Sequence, residues 1–142
     1  GEDGYMEQND ARRRYLTAIY EISQRKLEVS SVEVAGVLNV SKPAVARMLK
    51  PLMEQKLIVK KPYGRIYLTD QGIFLARLYR AQRDLIRDKF PDIGLRLGAE
   101  DIERAADAAV AALPQERFFE RYQALFEQEE PENTQDREEK DQ

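Results

Sequence analysis

The sequence predicts a mainly α protein, a winged helix-turn-helix followed by a helical dimerisation region. Three observations lead there. Apolar residues recur at helical spacing in successive stretches separated by turn residues. Two short β-patterned runs flank a Pro-Tyr-Gly turn directly after the third of those stretches. The basic residues concentrate where the third helix and that hairpin fall: residues 42–65 hold seven Lys or Arg against Glu54 alone, in a chain of net charge -3.

The first helix is expected over 9–25. Asn9 or Asp10 can cap it, and Tyr15, Ile19 and Ile22 follow at spacings of four and three, with Leu16 and Tyr20 widening the stripe. Residues 29–31 read as a short extended link. Ser31 is then the expected cap of a second helix over 32–38, with Val34, Val37 and Leu38 facing inward and Glu33 at the positive end of the helix dipole. Asn39-Val40-Ser41 makes a tight turn. Ser41 caps the third helix and Pro43 fits its first turn, where a missing N–H costs nothing. Val45, Met48, Leu49 and Leu52 form the apolar stripe, and Pro51 is expected to kink or weaken the last turns because its ring conflicts with the carbonyl of Arg47.

The runs 57–60 and 65–68 form a hairpin about Pro62-Tyr63-Gly64. Thr69 or Asp70 caps a long fourth helix over 71–89, which Pro91 ends, and two more helices are expected over 99–113 and 115–126, separated at Pro114. The expected organisation is a winged helix-turn-helix domain over 7–70, a linking helix over 71–90, a helical dimerisation domain over 91–127 and a tail over 128–142. That tail has seven acidic residues against two basic and no aromatic or aliphatic side chain, so it is expected to be disordered.

Composition narrows the chemistry. With no Cys and no His, a disulfide framework, a thiolate nucleophile and a zinc site of the Cys/His kind are excluded, and the commonest general base is missing. No Gly-rich phosphate loop and no Gly-x-Ser-x-Gly turn is present. The chain is therefore not expected to be an enzyme. No run approaches the roughly 18 apolar residues of a spanning helix, and no charged-then-apolar leader precedes Met6, a candidate native start, so a cytoplasmic protein without membrane partners is expected.

In a winged helix-turn-helix the third helix enters the DNA major groove, and Lys and Arg there neutralise phosphates. Double-stranded DNA is the expected partner. Ser41, Lys42 and Ala44 sit at the helix start, where small and polar groups approach base edges or phosphates. Arg47 lies opposite the apolar stripe and can reach a guanine edge, and Lys50 would hold phosphate. In the wing, Lys60, Lys61 and Arg65 flank Tyr63 and Gly64, a basic and aromatic tip suited to backbone or minor-groove contact. The bland alternative is a solvated face and an ordinary hairpin.

Several segments resemble one known family. Tyr15-Leu16-Thr17-Ala18-Ile19-Tyr20, Val32-Glu33-Val34-Ala35, Val40-Ser41-Lys42-Pro43-Ala44-Val45, Met48-Leu49-Lys50-Pro51-Leu52, Leu57-Ile58 and Tyr63-Gly64-Arg65-Ile66-Tyr67-Leu68-Thr69-Asp70-Gln71-Gly72 are similar to the diphtheria-toxin-repressor and manganese-transport-regulator family. The similarity is strongest over 11–90, and the shorter two-domain form is the closer architecture. It implies a homodimeric transcriptional repressor on a near-palindromic operator, licensed in the family by a divalent metal, manganese or iron, at the junction of its two domains.

The family's metal ligands are a carboxylate pair on the first helix, a His on the fourth and a Glu/His cluster on the fifth. The corresponding positions here are Arg14 and Thr17, then Ala81, then the neighbourhood of Glu103 and Asp107. With no imidazole in the chain, the inherited site is expected to be lost and the regulator independent of metal. Arg14 would then place a permanent charge where the family places an ion's, pairing with Glu103 or Asp107 as a lock between domains. The alternative leaves Arg14 in an exposed Arg12-Arg13-Arg14 run worth little. Glu100, Asp101, Glu103 and Asp107 could instead hold a hard cation loosely, or simply form a solvated face. Ile102, Ala106, Val110, Phe118, Phe119 and Tyr122 are the expected dimer seam. The aromatics among them, with Phe126, otherwise line core or a ligand pocket. Two rival functions stand beside this one. One is a winged-helix regulator gated by a small organic ligand between its domains, as in the multiple-antibiotic-resistance regulators. The other is a protein-interaction module that binds no DNA.

Overall fold

The structure, a computed structural model, describes residues 2–118 and 120–121, with side chains from Asp10 onward. It divides into two compact units, Gly1–Ala81 and Gln82–Gln142, so the division falls inside the helix read as a linker.

The first unit opens with α1, Glu2–Ser23. This helix begins well before Asn9, so neither Asn9 nor Asp10 caps it. Leu16, Ile19 and Ile22 are buried at spacings of three, the stripe that drives the helix onto the core. A two-residue strand β1, Val29–Ser30, follows where only an extended link was expected. α2, Ser31–Leu38, starts one residue earlier than read. Its cap is Ser30, whose hydroxyl accepts from the Glu33 N–H while the Glu33 carboxylate accepts from the Ser30 N–H, a reciprocal pair that satisfies two otherwise orphaned donors. Val34 is fully buried, but Val37 is 51% exposed. The buried line of this short helix runs through Val34, Ala35 and Leu38, and Val37 lies past its edge.

Asn39 closes α2 in the left-handed region at φ 54, a conformation asparagine tolerates, and its N–H returns to the Ala35 and Gly36 carbonyls. α3, Lys42–Glu54, is capped by Ser41, whose hydroxyl accepts from the Ala44 N–H at 3.2 Å. The helix continues through Pro51 to Glu54. Val45, Leu49 and Leu52 on its inner face are buried, and burial of Leu52, just past the proline, holds the last turn in place.

Strand β2, Ile58–Lys61, turns through Pro62–Gly64 into β3, Arg65–Leu68. The antiparallel sheet has the order β1-β3-β2, with Val59 opposite Tyr67, Lys61 opposite Arg65 and Val29 opposite Ile66. α4, Asp70–Asp88, begins on a tight junction. The Thr69 N–H donates to the Leu57 carbonyl, its hydroxyl donates to the Lys56 carbonyl at 2.6 Å and accepts from the Gly72 N–H. A Cβ on Gly72 would stand 2.0 Å from the Leu57 oxygen, so only glycine fits where the helix crosses the strand. The core formed by α1–α3, the sheet and the start of α4 reaches Ala76 and Tyr79.

In the second unit, α5 is Ala99–Ala112, with the Asp101 carboxylate accepting from the Gly98 N–H at 3.1 Å at its start. Residues 115–118 and 120–121 are also helical. Phe119, Tyr122 and Phe126 as side chains, and the acidic tail 128–142, lie outside the described residues. Ala106 and Val110, expected in the dimer seam, are fully buried within the single chain. Ile102 and Phe118 are half-buried.

Candidate nucleic-acid interface

α3 presents its outer face through a simple phase argument. Burial of Val45, Leu49 and Leu52 leaves Lys42, Pro43, Ala46, Arg47, Lys50 and Met53 exposed on the other side. Lys42, Arg47 and Lys50 therefore share one solvent-facing surface, with Ser41 exposed at its N-terminal end and Ala44 half-buried beside it. The Ser41 oxygen is engaged as an acceptor by the Ala44 N–H, which leaves its O–H to donate outward, toward an acceptor such as a phosphate oxygen. The sequence reading passed over Pro43 and Ala46. Their signal was the spacing Pro43, Ala46, Lys50 along the polar face, and their small side chains allow close approach between the cations.

The wing supplies the second cationic surface. Lys60 and Lys61 are exposed on β2. Tyr63 is 95% exposed at the tip, with Tyr63 and Gly64 both in the left-handed region, at φ 67 and 72. Arg65 differs from its neighbours. Its guanidinium donates to the Glu28 carboxylate at 2.9 Å and to the Pro62 carbonyl at 3.2 Å, and Glu28 raises its affinity for a proton above that of an ordinary arginine. Arg65 therefore ties the wing tip to the segment before β1. Lys56, the remaining cation of this stretch, serves a turn: it adopts φ 60 and its carbonyl receives the Thr69 hydroxyl.

The run Arg12-Arg13-Arg14 is not uniformly exposed. Arg13 is 5% exposed and paired with Asp10, and Arg12 is half-buried with a hydrogen bond to Gln55 at 3.1 Å. Arg14 alone of the three is exposed. In the second unit, the cation facing Glu103 is Arg87 of α4 at 3.8 Å, while Asp101 pairs with Arg104 at 2.7 Å.

Among the described residues no three of His, Cys, Asp or Glu gather as a group that could hold a metal ion.

Residues 9–66 match the N-terminal DNA-binding domain of the iron dependent repressors. Over that stretch the chain is similar to this family. Over 91 residues it is 31% identical to the transcriptional regulator MntR of Escherichia coli, covering 61% of this chain and 59% of that protein. The MntR of Salmonella typhimurium is 30% identical over a stretch of the same length. The match thus spans less than two thirds of these relatives. Among solved structures, the manganese regulator SloR aligns with a TM-score of 0.61 at 29% identity, covering 79% of this chain and 53% of that one. The metal-dependent transcriptional regulator MtsR aligns at 0.62 and 27%, covering 80% and 53%. The matched stretch runs from α1 through the helix-turn-helix and into the wing as far as Ile66. No helix among the described residues is long and apolar enough to cross a membrane.

Proposed function

We propose that the protein is a DNA-binding transcriptional regulator, a repressor by its relationship to the iron-dependent-repressor family, that contacts operator DNA through α3 and the wing. One observation carries the reading. Lys42, Arg47 and Lys50 share the exposed face of the helix that this fold presents to the major groove, with Lys60 and Lys61 exposed on the adjoining wing. The rest of the chain is net acidic, so this cationic surface is not a by-product of composition.

Arg47 and Lys42 reach base edges, while Lys50, Lys60 and Lys61 neutralise phosphate and release counterions. The regulator acts without the family's metal, because a cation already occupies the first-helix ligand position and imidazole is absent. It works as a cytoplasmic homodimer joined through the second unit. Ile93, Leu95 and Leu113, at 56%, 60% and 43% exposure, supply the apolar surface for that seam in place of Ala106 and Val110.

The experiment is the salt dependence of binding to a duplex. Binding weakens steeply with salt, and Lys50→Gln lowers the slope by about 0.9, the signature of one lost phosphate contact. Salt-insensitive binding, or none, would make the chain a protein-interaction module instead.

A further inference from the structure

We propose that a groove within the first unit, bounded by the end of α1, strand β3 and the start of α4, binds a small organic anion: a carboxylate on a compact apolar body. The groove encloses about 280 Å³, near the lower end of the ~300–1,000 Å³ typical of small-molecule sites. That is room for one or two fused rings and too little for a nucleotide or a peptide.

Its floor is apolar. Ile19 and Ile66 are buried beneath it, and Ile73, 36% exposed, forms a wall. Water over such a floor is displaced favourably by an apolar body. Tyr20 and Gln24 line it and can offer a hydroxyl and an amide. Arg77, one turn after Ile73 on the same face of α4, lines it as well.

Charge decides the class of ligand. Among the described residues Arg77 is the one cation lining the groove, and none of them that lines it is acidic. Arg65, Arg87 and Arg104 are each met by a neighbouring carboxylate, whereas among the described residues Arg77 has no carboxylate within ion-pairing distance. Arg80 stands 6.0 Å from the centre of the Tyr20 ring, adding positive potential to that side and holding the ring that frames the groove. A guanidinium with no carboxylate among the described residues, beside an apolar floor, selects a carboxylate, which it can grip through two parallel hydrogen bonds. The site stands apart from the DNA-binding reading, since its occupancy is read by binding alone.

The test titrates the full chain with 2-naphthoate, followed by ligand fluorescence and by amide chemical shifts. Saturable one-to-one binding is expected, with shifts at Tyr20, Gln24, Ile66 and Arg77, and about tenfold weaker binding of the neutral 2-naphthamide. Arg77→Gln should bring naphthoate down to the level of the amide while leaving the melting curve unchanged. Ile73→Glu, which sets a carboxylate beside the guanidinium, should abolish naphthoate binding. Equal affinity for acid and amide, binding indifferent to Arg77→Gln, shifts confined to the second unit, or no saturable binding would each overturn the proposal.

Discussion

At the tip of the wing, Tyr63 holds φ 67, a region that costs a non-glycine residue about 1 kcal/mol or more. Its ring is 95% exposed, so no packing within the chain repays that cost. A ring presented to DNA would. Tyr63→Gly should therefore raise stability by about 0.5–1 kcal/mol in a denaturant titration while weakening duplex binding. Tyr63→Ala should weaken binding equally without the gain in stability. If both variants bind DNA like the parent, the wing tip is not a contact. Much of this was legible at the level of single residues: the outward face of α3 follows from the spacing of its apolar stripe, and the cap at Ser41 from the proline two residues on. Pairs distant along the chain were not. Arg65 meets Glu28 and Arg12 meets Gln55, 37 and 43 residues apart, and periodicity carries no signal for either. Arg13 was misread for a related reason, since an arginine buried by its pairing with Asp10 resembles an exposed one in sequence.

Among the elements, the junction between wing and α4 is the most constrained. Gly72 places α4 against the Leu57 carbonyl, and any Cβ there meets backbone that cannot swing aside. Gly72→Ala should cost about 3 kcal/mol, seen as a lower midpoint in denaturant, because strand and helix must part to admit the methyl group. A cost within 0.5 kcal/mol would show that the junction yields easily. The cap of α2 has a pH signature. Lys26, beside Glu33 at 3.0 Å, holds that carboxyl below its ordinary 4.5, helped by the Ser30 hydroxyl and N–H. Asp101 is lowered likewise, first by the Gly98 N–H and then by Arg104. Carboxyls held low contribute stability above their ordinary values and lose it as pH falls through the folded values. With no histidine in the chain, the melting temperature should stay level from about pH 6 to about pH 8 and fall below 4.5. A rise on acidification would contradict this. The order of elements was readable because each helix carries its own apolar stripe, whereas β1 is two residues long, too short to show alternation. Ser30 and Ser31 are adjacent cap candidates, and only the pairing with Glu33 three residues on selects Ser30.

For the molecule as a whole, charge is divided: the +6 segment 42–65 forms α3 and most of the wing, in a chain otherwise net acidic. The proposed independence of metal rests on the expected correspondence of Arg14, Thr17 and Ala81 to the ligand positions of the family the chain resembles. The likeness to the iron dependent repressors was legible because the similar segments run from the first helix through the wing. The second unit was less so: Ala106 and Val110 share a face with Ile102, and spacing alone does not say whether a face meets its own chain or a second copy. The most direct measurement is fluorescence anisotropy with a labelled near-palindromic operator, first in excess chelator and then with manganese or iron added. The account predicts tight, salt-sensitive binding in chelator that added metal leaves unchanged. Binding that appears only when metal is restored would contradict it and would mean that oxygen ligands alone sustain the family's switch.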